Sequence, residues 1–295
     1  MATDKDNYRF PPQSQPQQPG IEHIMNPLPE QLNPNYKPSN KLNGKVALVT
    51  GGDSGIGRSV CYHFALEGAT VAFTYVAGIE DQDKEDTLET ILKLKTKEAK
   101  DPIAIAVDVG FEENCKKVVD QVVGAYGTID ILVNNAAEQH IRNSLEDITE
   151  IRLERIFRTN IFAHFYMSKY AVKYMKEGSS IINTASLAAY QGNGELLDYC
   201  STKAAIVGFT RGLSQLLIEK KIRVNAVAPG PIWTPLQVAS RPAEEIVPLG
   251  SETKMGRAGQ PWEVAPSYVF LASEGSSSYF TGQVLHPNGG EIVNT

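Results

Sequence analysis

Tyr199 and Lys203 stand four residues apart where a segment of helical period begins, so a phenol and an ammonium fall on one helix face. A phenol of ordinary pKa, near ~10, is a poor base at neutral pH, and a neighbouring cation favours its ionised form. The pair reads either as a helix-surface contact or as a proton-transfer couple in which Lys203 tunes Tyr199. Upstream, Thr184-Ala185-Ser186-Leu187-Ala188 follows an apolar run of strand type, where a Ser186 hydroxyl could hold a substrate oxygen. Asn134-Asn135-Ala136-Ala137 ends another such run with a second loop of small residues.

A third loop, Thr50-Gly51-Gly52-Asp53-Ser54-Gly55-Ile56-Gly57-Arg58, joins a short apolar run to a helical segment whose apolar side includes Cys61, Phe64, Ala65 and Leu66. Glycine loops are common as plain turns. Between strand and helix, however, Gly51 and Gly55 let the backbone approach an anion, Gly57 lets the helix pack closely, and the helix N-terminus offers free N–H groups and partial positive charge. A pyrophosphate fits that place.

The elements that carry these loops alternate. Apolar runs at 45–50, 70–75, 103–107, 129–134, 180–184, 222–228 and 283–287 are apolar on both faces, as strands of a buried parallel sheet are. Helical stretches at 55–67, 81–98, 112–126, 150–176, 197–219 and 261–272 lie between them. Right-handed crossovers then give an α/β domain over 44–295, a doubly wound (Rossmann) seven-stranded parallel sheet with helices on both faces. Residues 1–43 differ in kind. Eight prolines among Gln and Asn, with no apolar period, build no compact core. The segment is either a flexible tail or an extended arm on a neighbouring subunit, anchored by Tyr8, Phe10, Ile21, Ile24, Met25 and Tyr36. Its start, with Asp4 and Asp6, fits neither a secretory signal nor a transit peptide.

Composition narrows the partners. The 295 residues are 42% hydrophobic with a net charge of −6, which leaves no basic excess for nucleic acid. No apolar run approaches the ~20 residues of a membrane span. Cys61, Cys115 and Cys200 show no CxxC spacing, which argues for free thiols in a reducing compartment, expected to be the cytoplasm, and against a thiolate metal site. No metal is expected.

Together the TGxxxGIG turn, the NNAG-type loop, Ser186, the YxxxK helix and Pro229-Gly230 resemble the short-chain dehydrogenase/reductase family, in order and spacing, over 44–290. The resemblance implies a nicotinamide cofactor and a catalytic tetrad of Asn160, Ser186, Tyr199 and Lys203. It implies that Asn160 kinks its helix and holds a water that connects the lysine to solvent. It also implies that Gly51, Ser54, Ile56 and Gly57 surround the pyrophosphate, with Asp53 and Gly55 on the same loop. Asp108 and Val109 would meet the adenine, although Asp108 alone reads equally as a cap or turn residue. Asn135, Ala136 and Ala137 would flank the ribose, and Pro229, Gly230, Ile232 and Thr234 the carboxamide and phosphate end. Ala137 stands where the family has glycine, and Asn288 where it has aspartate before Gly289-Gly290.

The implied chemistry is hydride transfer between NAD or NADP and a small alcohol or carbonyl compound. Tyr199 would move the proton, Ser186 steady the oxygen, and Lys203 bind the ribose and, with the cationic oxidised ring, lower the phenol pKa. Glu138, Gln139, His140, Glu195, Asp198 and Trp233 flank the expected pocket as hydroxyl-binding groups or as plain loop residues. The arm and loop sequences resemble members of the family named for similarity to sugar and polyol dehydrogenases. A carbonyl or 3-oxoacyl reductase, distinguished by the lid at 233–250, and a non-catalytic nucleotide-binding protein are the competing readings. Tyr75 and Val76 end the second strand without the acid or base that sets cofactor choice in relatives. Arg58 decides little, and the Asp53 carboxylate tips the expectation slightly toward NAD. A homotetramer is implied, built on helices 150–176 and 197–219 through Ile161, Phe162, Phe165 and Met167.

Overall fold

A computed structural model describes residues 9–293. The expected anchor Tyr8, with Asp4 and Asp6, lies outside the described residues. Seven parallel strands form one sheet: β1 (Val46–Val49), β2 (Thr70–Tyr75), β3 (Ile103–Ala106), β4 (Ile131–Asn134), β5 (Ser180–Thr184), β6 (Arg223–Val227) and β7 (Val284–Leu285). Their order is β3-β2-β1-β4-β5-β6-β7, with Leu48 paired to both Ala72 and Leu132. The direction of winding reverses between β1 and β4, and ligands of open α/β sheets bind beyond the strand ends at such a reversal.

Period-2 patterning separates two apolar layers. Ala47, Val49, Phe73 and Val133 face one side, against α1 (Gly55–Leu66) and, later in the chain, the helix Pro261–Ala272. Val46, Leu48, Leu132 and Val224 face the other, against α3 (Glu112–Tyr126), which Gly127 closes in the left-handed region at φ 85°. The helix α2 (Asp81–Leu94) precedes β3.

The helix expected over 150–176 is not continuous. It divides into α4 (Glu150–Phe157), a π turn (Arg158–Phe162) and α5 (Ala163–Ala171). Asn160 sits in the wide turn, fully buried, and its carboxamide bonds across the fold, as π turns at functional sites often permit. The division also turns residues differently from the expected interface. Ile161 and Met167 enter the chain's own core, while Phe162 and Phe165 remain exposed. After β5 come α6 (Ala188–Gln191), α7 (Leu197–Leu216), α8 (Pro235–Val238), α9 (Ala243–Ile246), α10 (Pro261–Ala272) and α11 (Glu274–Ser277). Cys61, Cys115 and Cys200 are buried and unpaired.

Residues 9–43 carry no helix or strand, yet they are neither a free tail nor, in this single chain, an arm on a neighbour. They lie along their own domain. Phe10 stacks on Trp233 with ring centroids 3.8 Å apart, Met25 is buried, and Tyr36 donates to Glu67. Ile24 is exposed and anchors nothing.

Candidate active site

A cleft of about 440 Å³ runs along the carboxyl ends of the strands, from β2 and β3 past β1 and β4 to β5 and α7. Every residue expected to meet the cofactor lines it except Gly57, and the tetrad lines it except Asn160. Those two stand behind the wall.

The glycine loop is shaped by close approach. Gly51 and Gly55 have φ of 62° and 53°, and a Cβ on Gly57 would collide with the Gly51 carbonyl and come within 2.6 Å of the Asn135 amide nitrogen. Asn135 donates to the carbonyls of Thr50 and Gly51 at 3.1 Å each, so its side chain pins this loop while the residue lines the cleft. Ile56 and Gly57 open α1 with N–H groups that the helix itself leaves unpartnered. Gly55 N is not available, because Glu22 of the arm accepts from it at 2.6 Å. The same carboxylate pairs with Arg58 at 2.7 Å, and Arg58 also donates to the carbonyls of Asp53 and Asp83. Locked in this way, Arg58 cannot reach a cofactor phosphate. The cradle that a Cβ would fill, with helix N–H groups beside it, fits the pyrophosphate of a nicotinamide dinucleotide.

At the adenosine end, Asp53 and Glu80 both line the cleft, and each acts on the other's carboxyl group. Burial first, and then the Asp53 charge, push the Glu80 carboxyl up, so the pair keeps a proton where isolated acids would not. The Asp108 carboxylate is tied to Gly110 N and to Arg155 at 2.5 Å.

The catalytic end is different. Tyr199 lies in the first turn of α7, Lys203 one turn on, and Lys203 Nζ is 5.5 Å from the Tyr199 ring centroid. Lys203, 2% exposed, donates to the Thr184 carbonyl at 2.8 Å, and burial brings its pKa down to about 7. Burial pushes the Tyr199 phenol up to about 12, while its hydrogen bond with Ser186 acts in the opposite direction. In the chain alone, water is withheld from both groups, and burial drives each toward its neutral form. Ser186 follows β5, and its Oγ also accepts from Ala188 N at 3.2 Å. Asn160 accepts from Glu138 N at 2.8 Å and donates to Glu138 O and to Thr202 Oγ1, which itself donates to Tyr199 O. It therefore ties the β4 loop to the turn that carries Tyr199.

Pro229 accepts from Leu187 N, and a Cβ on Gly230 would meet the Asn288 backbone at 2.8 Å. Asn288 closes its own turn to Gly290 N and Glu291 O. Ala137 lines the cleft without obstructing it.

Of the proposed hydroxyl-binding residues, only Glu138 and Gln139 line the cleft. The Glu138 carboxylate is occupied by Arg155 and Thr159. Trp233 is fully buried and donates to Pro27 O, Asp198 caps Tyr199 N, Glu195 is exposed, and His140 stands outside the lining. Sequence reasoning missed Gln18, Gln191, Asn193, Gln237 and Arg241, which line the substrate end. They lie on the arm, on the single-turn helices α6 and α8 and on the connections beside them, all too short to show a period, so no pattern marked them.

Known proteins agree with this geometry. A sequence profile of the family described as Enoyl-(Acyl carrier protein) reductase matches residues 51–291. The carrot (Daucus carota) protein named "Glucose and ribitol dehydrogenase" is 67% identical, over 97% of this chain and 98% of its own. "NADPH-dependent aldehyde reductase 1, chloroplastic" of Arabidopsis thaliana is 64% identical, over 96% and 98%. A short chain dehydrogenase from Burkholderia cenocepacia, solved in complex with NADP, superposes with a TM-score of 0.76 at 30% identity, over 85% of this chain and 98% of that one. The share it leaves unmatched here equals the arm in length. The chain belongs to the short-chain dehydrogenase/reductase family and is an NAD(P)-dependent oxidoreductase.

Proposed function

We propose that the chain interconverts the alcohol and carbonyl forms of a sugar or polyol. The observation that carries this reading is the polar lining of the cleft that Tyr199 shares, which includes the amides of Gln191, Asn193 and Gln237 and the guanidinium of Arg241. Amides both donate and accept, which suits a chain of hydroxyl groups better than an acyl tail. The name of the carrot relative points the same way.

A bound nicotinamide supplies the hydride acceptor or donor. In the oxidative direction Tyr199 takes the hydroxyl proton, and in the reductive direction it returns one to the carbonyl oxygen. Ser186 Oγ holds that oxygen as its charge changes. Lys203, when protonated, would stabilise the phenolate and could hold the ribose hydroxyls of a bound cofactor. Asn160 keeps the Glu138 loop and the Tyr199 turn in register. An intact tetrad disfavours a catalytically idle nucleotide binder.

For the cofactor, the Asp53–Glu80 pair supports a slight preference for NAD, because even one retained negative charge opposes a ribose 2′-phosphate. The Arabidopsis relative is named for NADPH, so calorimetry with both cofactors decides the point, and tighter NADP binding refutes the preference. Exposed Phe162, Phe165 and Leu216 support a homotetramer, which light scattering at micromolar concentration tests. Among the described residues no helix is long and apolar enough to cross a membrane, and the three free thiols support a reducing compartment such as the cytoplasm.

The reading as a whole is tested by initial rates over polyols, sugars, short aldehydes and apolar ketones. The expected result is highest kcat/KM for polyhydroxylated compounds, and exclusive turnover of 3-oxoacyl or other apolar carbonyls would overturn it.

A further inference from the structure

Gln18 bridges two parts of the cleft. Its Oε1 accepts from Gln139 N at 2.9 Å and its Nε2 donates back to Gln139 O, so one side chain pairs with that backbone as a neighbouring strand would. The same Nε2 lies 3.3 Å from the Ala239 carbonyl and 3.3 Å from His140 Nδ1. Ala239 belongs to the lid, and Gln139 to the loop after β4 that Asn160 fixes to the catalytic turn. The rest of the arm brings Gln18 to this point. Gln15 N donates to Val238 O at 2.7 Å, and Gly20 passes so near α8 that a Cβ would meet the Pro235 carbonyl at 2.5 Å. Beyond it, Glu22 engages Gly55 N and Arg58 beneath the glycine loop.

We propose that Gln18 is a positioning residue for the substrate: by clamping the 138–140 loop to the lid at Ala239, it fixes the depth of the substrate end and so the size of alcohol or carbonyl compound admitted. The chemical nature of that substrate rests on the reading above, while the clamp does not. A clamp of this kind acts on substrate held in the ground state and transition state alike, so its loss raises KM and spares kcat. The cradle for the dinucleotide, made by Gly51, Gly57 and Asn135, does not depend on it.

The test compares full-length wild type with Gln18→Met, which keeps length and removes the amide, and with Gln18→Glu, which keeps shape and removes the donor. If the first fails to fold, the second carries the test. Hydrogen exchange of the lid amide Ser240 is expected to quicken by about tenfold or more in either variant, and that of Gln139 in Gln18→Met, with the glycine loop unchanged. Calorimetric affinity for the cofactor should stay within about twofold. KM for the best small substrate should rise about tenfold with kcat within about threefold, and bulkier substrates should gain relative to small ones. Unchanged exchange with unchanged KM overturns the proposal, and so does a fall in kcat at constant KM. The sugar or polyol reading fails separately, in the ranking of substrates by wild type, and the exchange measurement stands even then.

Discussion

Arg58 and Lys203 are both buried cations beside the same cleft, about as poorly hydrated as each other, and their surroundings differ completely. Arg58 is enclosed by the Glu22 and Asp83 carboxylates and by the carbonyls of Asp53 and Asp83, and those charges raise its pKa against the cost of burial. Lys203 has one carbonyl for a partner and no carboxylate in contact, so burial carries it down to about 7. A cation whose charge is matched at every donor can only hold parts together. One left unmatched can gain or lose its proton within the working range, and changes in its neighbourhood decide which. The difference marks the glycine-loop end as a scaffold and the Tyr199 end as the place where protons move.

The largest expected effect separates chemistry from binding at that second end. Tyr199→Phe keeps the ring and removes the transferable proton, so turnover should fall by at least about 100-fold while calorimetric cofactor affinity is retained. Retained turnover would break the comparison at its base. Lys203→Met should lose both turnover and cofactor affinity, since the ammonium is proposed to serve phenol and ribose together.

At the scaffold end the effect should be on stability. Arg58→Met leaves Glu22 and Asp83 buried without their partner, and thermal melting should report a loss of about 3–5 kcal/mol. Were Arg58 instead a cofactor ligand, this variant would melt normally and bind cofactor poorly.

A smaller effect concerns the acid pair. Burial and the Asp53 charge push the Glu80 carboxyl well above its ordinary value near 4.5, so the folded protein binds a proton that the unfolded chain has released. Its contribution therefore falls as pH rises from 4.5 through that raised value. Lys203, lowered from 10.5, contributes with the opposite sign, so the difference in melting temperature between wild type and Glu80→Gln is the quantity to follow. That difference should move against wild type between pH 7 and 9, and a flat difference would show that the pair holds no extra proton.

Asp53→Ser should give the smallest change, improving NADP use relative to NAD by about fivefold, as for a partly screened charge contact. Equal gains for both cofactors would show that the carboxylate acts on loop packing and not on a phosphate.

How far the molecule could be read from its residues follows the same division. The strands Thr70–Tyr75 and Ser180–Thr184 and the helix Glu112–Tyr126 have the expected bounds, because each is a run of one period ending at a polar or glycine break. The loops that carry Gly51 and Ser186 and the helix start that carries Tyr199 were legible because their chemistry sits where those periods change. The break at Arg158–Phe162 does not show in the apolar period, which runs through it; only the resemblance, which implies that Asn160 kinks its helix, pointed to it, and Asn160 there bonds to Glu138 in the loop after β4. The arm was opaque for a related reason. Its anchors are single side chains, Phe10 on Trp233 and Glu22 on Arg58, whose partners lie far away in sequence. The buried state of Lys203 was equally hidden, because spacing places it near Tyr199 but says nothing of the water excluded around both.

The contrast between the two cations can be measured at one atom. In cofactor-free protein carrying 15N-labelled lysine, the Nζ resonance of Lys203, assigned by its absence in Lys203→Met, should titrate with a midpoint near 7. Titration of Lys203 near the ordinary value of ~10.4 would contradict the account, since the lysine would then be as well matched as Arg58.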